Sequence, residues 1–241
     1  MTAAIVTGGA GEIGAAVGRR LARDGWTVVV VDRAGDVAAR VATEIGGEAR
    51  QVDTTDREQV EALVRDVVDR HGLGALVNNA GIEGAVRPLG DYPEDVFEGV
   101  MRTNVHSVFL GLRAALPHLM ERGSGVIVNV ASTSGIRGRA NLAGYVASKH
   151  AVVGLTKVAA LEVAGTGVRV NAVLPGPIET RMIRAINDGT HALAGAEVAR
   201  AATVPYGRVE DVAAAVAHLV SPDARHLNGA EYVVDGGSTV A

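Results

Sequence analysis

Three side chains in one stretch, S-T-S-G-I-R-G-R-A-N-L-A-G-Y-V-A-S-K from Ser132 to Lys149, have the types and spacing to move a proton on and off an alcohol oxygen. Tyr145 and Lys149 are four residues apart. On a helix, positions i and i+4 share a face, so the phenol and the ammonium become neighbours. Ser132 stands thirteen residues before the tyrosine. A hydroxyl can orient a substrate oxygen, a phenol can exchange a proton with it, and a nearby cation favours the phenolate. Taken singly, the same residues have plainer roles: a half-buried core tyrosine, a solvated helix lysine and a capping serine. What the rest of the chain sets beside them decides between the two.

The chain has 241 residues and suits one large α/β domain. Hydrophobic residues at 48% are enough for a sizeable core, and charged residues at 21% exclude a generally disordered chain. With a net charge of −4 and dispersed basic residues, there is no electrostatic footprint for nucleic acid. There is no cysteine, which excludes disulfides, thiolate catalysis and cysteine metal sites. The histidines (His71, His106, His118, His150, His191, His218 and His226) have no metal-ligand spacing, so no catalytic metal is expected. Met1 to Val6 shows no basic segment followed by a long apolar one, and no apolar run reaches membrane-spanning length. The expectation is a cytoplasmic protein without a membrane partner.

The elements that must hold the stretch alternate strand and helix. Ala3 to Thr7 is a short apolar run ending in a glycine turn, and Ile13, Val17 and Leu21 begin a helical stripe. Thr27 to Val31 is a β-branched run suited to a parallel strand buried on both faces. Val37 to Ile45 reads as helix and Glu48 to Val52 as strand; Asp56 caps a helix striped by Val60, Leu63, Val64, Val67 and Val68. Ala75-Leu76-Val77 and Gly125 to Val130 read as strands, with one long helical region, Pro93 to Glu121, between them. Gly144 to Glu162 is the helix that carries Tyr145 and Lys149, and Val168 to Leu174 is a strand stopped by Pro175-Gly176-Pro177. Thr180 to Val204 reads as a pair of short helices or a lid, Glu210 to Val220 as helix and Glu231 to Val234 as the last strand. Such alternation predicts a single-domain, doubly wound, mostly parallel seven-stranded sheet with helices on both faces, a Rossmann arrangement spanning residues 1–241.

The first turn fits two glycine registers. Gly9, Gly11 and Gly14 satisfy G-x-G-x-x-G, and Thr7-Gly8…Gly14 nearly satisfies T-G-x-x-x-G-x-G. Between a strand and a helix, free N–H groups at the helix start point at an anion, which is the context a phosphate loop needs. Asp32 ends the second strand 18 residues after Gly14, where a carboxylate accepts from the ribose hydroxyls of an adenosine and repels a 2′-phosphate. NAD is therefore expected over NADP. Arg33 complicates this: it can stack on adenine, pair with a 2′-phosphate or stay in solvent. Asp53 and Asn79-Ala80-Gly81 also fall at C-terminal strand ends, where open α/β sheets bind ligands.

With these residues in view, the chain resembles the short-chain dehydrogenase/reductase family over essentially its whole length. Thr7-Gly8…Gly14, Asp53, Asn78-Asn79-Ala80-Gly81, Asn104, Ser132, Tyr145-x-x-x-Lys149, Pro175-Gly176 and Asp235-Gly236-Gly237 follow the family's order and approximate spacing. The tyrosine–lysine pair alone discriminates poorly; the ordered set is specific. One departure is Glu12, which stands where the family usually carries glycine and puts the loop geometry in question. The adjacent Gly11 is expected to restore backbone freedom.

The resemblance implies that Tyr145 is the general acid/base, and that Lys149 binds the nicotinamide ribose and lowers the tyrosine's pKa. It implies that Ser132 orients the substrate oxygen and that Asn104 holds a water relaying protons from Lys149. The cofactor contacts it implies are Gly8, Gly11, Glu12, Ile13, Gly14, Asp32, Arg33, Asp53, Thr54, Asn79, Ala80, Gly81, Tyr145, Lys149, Pro175, Gly176, Ile178 and Thr180. Ile178 and Thr180 would receive the carboxamide. Residues 180–204, with Met182, Ile183, Ile186, Gly189 and Leu193, would form an apolar lid, and Glu83, Arg137 and Asn141 a pocket rim. In the family, helices like Pro93–Glu121 and Gly144–Glu162 pair across a two-fold axis, so a homotetramer is expected, with a dimer as fallback. The activity implied is hydride transfer between NAD and a secondary alcohol or ketone, possibly cyclic. Alternatives are a 3-oxoacyl thioester (acyl-carrier-protein) reductase and a non-catalytic nucleotide-binding scaffold, which would have no use for the catalytic set.

Overall fold

Apolar runs buried on both faces make the sheet. In the computed structural model, described over residues 2–194 and 204–240, seven strands lie parallel. They are β1 (Ala3–Thr7), β2 (Thr27–Asp32), β3 (Glu48–Gln51), β4 (Leu73–Asn78), β5 (Gly125–Val130), β6 (Val168–Pro175) and β7 (Glu231–Val234). Their order is β3-β2-β1-β4-β5-β6-β7. The chain winds outward from β1 to β3 and then returns to β1's other side with β4. That reversal opens a crevice at the carboxyl ends of β1 and β4, where doubly wound sheets take their ligands.

Side chains alternate across a strand, so β1 feeds both layers. Ala3 and Ile5 pack beneath α3 (Arg57–His71), α5 (Ser107–Arg122) and α6 (Ala143–Glu162). Ala4 and Val6 pack beneath α1 (Glu12–Arg23), α2 (Gly35–Ile45) and α8 (Val209–Val220). A buried polar thread crosses the first layer: Asn78 Nδ2 donates to Asn129 Oδ1 at 2.9 Å, and Asn129 Nδ2 donates to Thr156 Oγ1 at 2.9 Å. It ties β4 and β5 to α6. Because an unpaired amide in the core costs on the order of 1–3 kcal/mol, the thread fixes the angle at which α6 crosses the sheet.

The helical region expected over residues 93–121 is present, and within it α4 (Glu94–Met101) gives way to a π-helical turn, Arg102–His106, before α5 begins. The wider turn lets Asn104 face inward although a buried amide needs partners. It finds them in the Ile82 main chain, whose N–H donates to Oδ1 at 2.8 Å and whose C=O accepts from Nδ2 at 2.9 Å. Periodicity is blind to one extra residue in a turn. In the expected pair of short helices or lid, residues 181–194 form a 14-residue helix, α7 (Arg181–Ala194). Residues 195–203 lie outside the described residues. Asp56 caps α3 as expected, accepting from the Gln59 N–H.

Candidate active site

β5 delivers Ser132 and the first turns of α6 deliver Tyr145 and Lys149, all three buried. Ser132 Oγ accepts from the Ser134 N–H at 3.1 Å, which starts a tight turn, Thr133–Gly135, against α6. Gly135 permits that approach: a Cβ there would stand 2.8 Å from the Lys149 carbonyl. Lys149 Nζ donates to the Val130 carbonyl at 2.9 Å and lies 5.6 Å from the centre of the Tyr145 ring. Burial pushes the Lys149 pKa down to about 8.

Burial also pushes the Tyr145 phenol above its ordinary value; a hydrogen bond with Ser132 and the charge of Arg139 pull it back, and Glu83 raises it further. The Lys149 ammonium is bonded to the Val130 carbonyl and sits over the ring face, and Ser132 and Arg139 favour the phenolate.

Asn104 is 1% exposed, and its amide is engaged with Ile82 and, through Nδ2, with Ser148 Oγ at 3.0 Å. Its side chain braces the segment after β4. A Cβ on Gly81 would lie 3.2 Å from Asn104 Oδ1 and 3.7 Å from Lys149 Nζ, so these two side chains meet across a bare glycine.

A cavity of about 1000 Å³ runs from the β1–α1 turn to this cluster. Every cofactor residue named from the sequence lines it, as does Ser132; Asn104 stands behind the wall. The loop fits a diphosphate. Gly8 is left-handed at φ 62°, and a Cβ on Gly14 would collide with the Gly8 carbonyl and lie 2.8 Å from Asn79 Nδ2. Gly14→Ala is therefore expected to weaken dinucleotide binding at least about tenfold, measurable by quenching of NADH fluorescence, because the loop must open to admit the methyl.

The residue in the left-handed region is Gly8; Gly11, expected to supply that freedom, has φ −76°. Asn79 shapes the loop by donating from Nδ2 to the Thr7 and Gly8 carbonyls at 3.0 and 3.1 Å. Asp32 is clamped between loop and α2, accepting from the Ala10 and Ala34 N–H groups at 3.1 Å each. The Asp53 carboxylate is held below its usual range, first by the Thr55 N–H, which donates at 2.9 Å.

Glu12 does not crowd the loop. Its carboxylate crosses to α7, accepts from the Arg181 N–H at 2.7 Å and pairs with Arg184 Nη2 at 3.4 Å. An acid at a helix N-terminus is favourable with the helix dipole. Sequence reasoning placed Glu12 at the start of α1 and missed that it caps a helix 169 residues away.

Thr180 Oγ1, expected to meet the carboxamide, accepts from the Ile183 N–H at 3.3 Å as α7 begins. Ile186 of α7 packs with Val86, Leu142 and Tyr145, setting α7 against that tyrosine. Of the expected rim, Arg137 lines the cavity, whereas Glu83 and Asn141 do not. Glu83 lies 4.0 Å from Arg181, and Asn141, left-handed at φ 66°, turns the chain into α6 while its carbonyl accepts from the Arg87 N–H at 2.9 Å. Arg139 and Tyr206 line the substrate end and were missed; an arginine or tyrosine in an irregular loop carries no periodic signal.

A family model described as enoyl-(acyl carrier protein) reductase matches residues 8–239. The levodione reductase of Leifsonia aquatica is 37% identical over 250 residues, covering 98% of this chain and 94% of the relative. The cyclohexanol dehydrogenase of Acinetobacter sp. (strain SE19) is 38% identical over 245 residues, again with 98% and 94% coverage. A crystal structure of levodione reductase superposes with a TM-score of 0.90 at 35% identity, covering 100% of this chain and 98% of that one. Sheet order, glycine loop, Ser132–Tyr145–Lys149 cluster and relatives agree: the chain belongs to the short-chain dehydrogenase/reductase family and is an NAD(P)-dependent oxidoreductase of CH–OH groups.

Proposed function

We propose that the protein transfers hydride between NAD and a secondary alcohol or ketone, cyclic ones included, with Tyr145 as general acid/base. The observation that carries this reading is the buried cluster of Ser132, Tyr145 and Lys149 at the end of a cavity lined by the dinucleotide residues. A bound nicotinamide supplies or accepts the hydride. Ser132 Oγ holds the substrate oxygen against the Tyr145 phenol, and the phenol gives that oxygen a proton in reduction or takes it in oxidation. Lys149 positions the ring from beneath and returns the proton toward solvent past Gly81 and Asn104. Ile186 and its neighbours on α7 exclude water above the reacting atoms. The levodione and cyclohexanol enzymes are named for cyclic substrates, which favours that shape here.

Asp32 supports NAD as the cofactor. Its carboxylate is fixed at the end of β2 by two main-chain N–H groups and faces the adenosine end of the cavity. A 2′-phosphate there meets a like charge, at a cost on the order of 1–4 kcal/mol across 4 Å. The test is a steady-state comparison of NAD and NADP over cyclic and acyclic secondary alcohols. Wild type should prefer NAD, and Asp32→Ala should shift the kcat/KM ratio toward NADP at least about tenfold. A wild-type preference for NADP overturns the cofactor assignment.

A homotetramer fits the surface. Phe109 on α5 and Val158 and Leu161 on α6 are exposed beside a hollow lined by Met101, Val105 and Leu155. Exposed apolar side chains of this kind support an interface between subunits. No helix among the described residues is long and apolar enough to cross a membrane, and a cysteine-free NAD enzyme suits the cytoplasm.

A further inference from the structure

We propose that Arg139, with Arg137 beside it, binds an anionic group of the substrate, so that the alcohol or ketone carries a carboxylate or sulfonate on an apolar body. The proposal rests on the hydride-transfer reading for the chemistry at Tyr145 and adds the class of molecule that chemistry acts on. Both arginines line the cavity that holds Ser132 and Tyr145. Among the described residues, neither forms an ion pair. Arg137 Nη1 donates to the Ser238 carbonyl at 2.7 Å, which fixes that guanidinium against the C-terminal segment.

Arg139 is exposed at the rim, yet enough protein surrounds its guanidinium that desolvation lowers its pKa, and the Arg137 charge lowers it further. Two like charges stand at one end of the cavity, the Arg139 guanidinium partly desolvated, and neither has an acid paired with it among the described residues. An oxyanion offsets both costs, and a guanidinium fork matches its geometry. Glu12 pairs with Arg184 and caps the α7 N-terminus, and Glu83 lies 4.0 Å from Arg181. α7 supplies apolar side chains to the wall, Met182, Ile183 and Ile186, beside the polar Arg181 and Asn187, and Tyr206 lines the same cavity. A ligand matching these walls has a hydrocarbon body, an oxygen at Ser132 and Tyr145, and one negative end. The cofactor's diphosphate is not that anion, since its cradle is the separate Gly8–Gly14 loop.

The test compares two ketones of equal shape, 4-acetylbenzoate and 4-acetylbenzamide, titrated by calorimetry into the protein loaded with NAD⁺, which cannot reduce them. The carboxylate should bind at least about tenfold more tightly, and the preference should shrink as salt is raised from about 0.02 to about 0.5 M. Arg139→Gln should erase most of the preference and Arg139→Lys should keep part of it. In turnover, the ratio of kcat/KM for the two ketones should fall in Arg139→Gln through KM rather than kcat. Equal binding of the two ketones by the wild-type protein overturns the proposal without recourse to any variant. So does a preference that survives in Arg139→Gln, with folding confirmed by circular dichroism. A carboxylate preference without reduction of either ketone supports the anion site and counts against the hydride-transfer reading alone.

Discussion

Tyr145→Phe is expected to lower kcat by about 10²–10⁴-fold while the dinucleotide still binds. The substitution removes one oxygen and leaves the ring, which packs against Val86, Leu142 and Ile186, in place. What disappears is the group that exchanges a proton with the substrate oxygen. Burial holds the phenol protonated above its usual range, with Ser132 and Arg139 acting against it, so proton removal becomes easier as pH rises. Oxidation of an alcohol should therefore accelerate toward alkaline pH in the wild-type protein, and reduction of a ketone should not. Stopped-flow measurement of NADH formation, beside NADH binding followed by fluorescence, separates loss of chemistry from loss of cofactor. A phenylalanine variant that turns over within a few-fold of wild type removes Tyr145 from its assigned role.

Lys149→Met is expected to destroy turnover and at the same time stabilise the fold near neutrality. Lys149 is 5% exposed, and burial lowers its pKa from 10.5 to about 8. Below pH 8 the folded state therefore holds a charge it would rather release, a penalty of about 3 kcal/mol against the unfolded chain. Between pH 8 and 10.5 the unfolded chain binds more protons than the folded one, so stability from this group rises with pH. At pH 10 the penalty falls below about 1 kcal/mol. Methionine fills the space without the charge, and the main loss is the hydrogen bond to the Val130 carbonyl, worth about 1 kcal/mol. Urea denaturation at pH 7 and pH 10 should show the variant more stable at pH 7, with the advantage shrinking at pH 10. Equal or lower stability at pH 7 contradicts the burial penalty. Such a result, a stability cost kept for function, is common at catalytic groups.

Strand positions, the helix bearing Tyr145 and Lys149, and the glycine turn were all legible in the chain, because each is a local matter. Continuous β-branched runs state a strand buried on both faces, and a four-residue step states one helix face. The residues expected to contact the dinucleotide all line one cavity for a related reason: most sit at strand ends, and strand ends are visible as the limits of apolar runs. The parallel sheet followed from the alternation of elements.

What the chain did not disclose depends on contacts between distant segments. Glu12 looked like a flaw in a phosphate loop, and folding sends its carboxylate to the N-terminus of α7, 169 residues on. Asn104 sat within an unbroken helical pattern, and the fold inserts a π turn so that its amide can grip Ile82. Arg139 carried no motif and becomes a cavity wall beside Tyr145. The stretch Ser132–Lys149 supplied proton-transfer chemistry by side-chain type and spacing, and the glycine turn, Asp32 and Asn104 elsewhere in the chain narrowed it to a reaction type. Its electrostatics were decided only by tertiary structure, because burial sets the pKa of the ammonium, and burial together with Ser132, Arg139 and Glu83 sets that of the phenol.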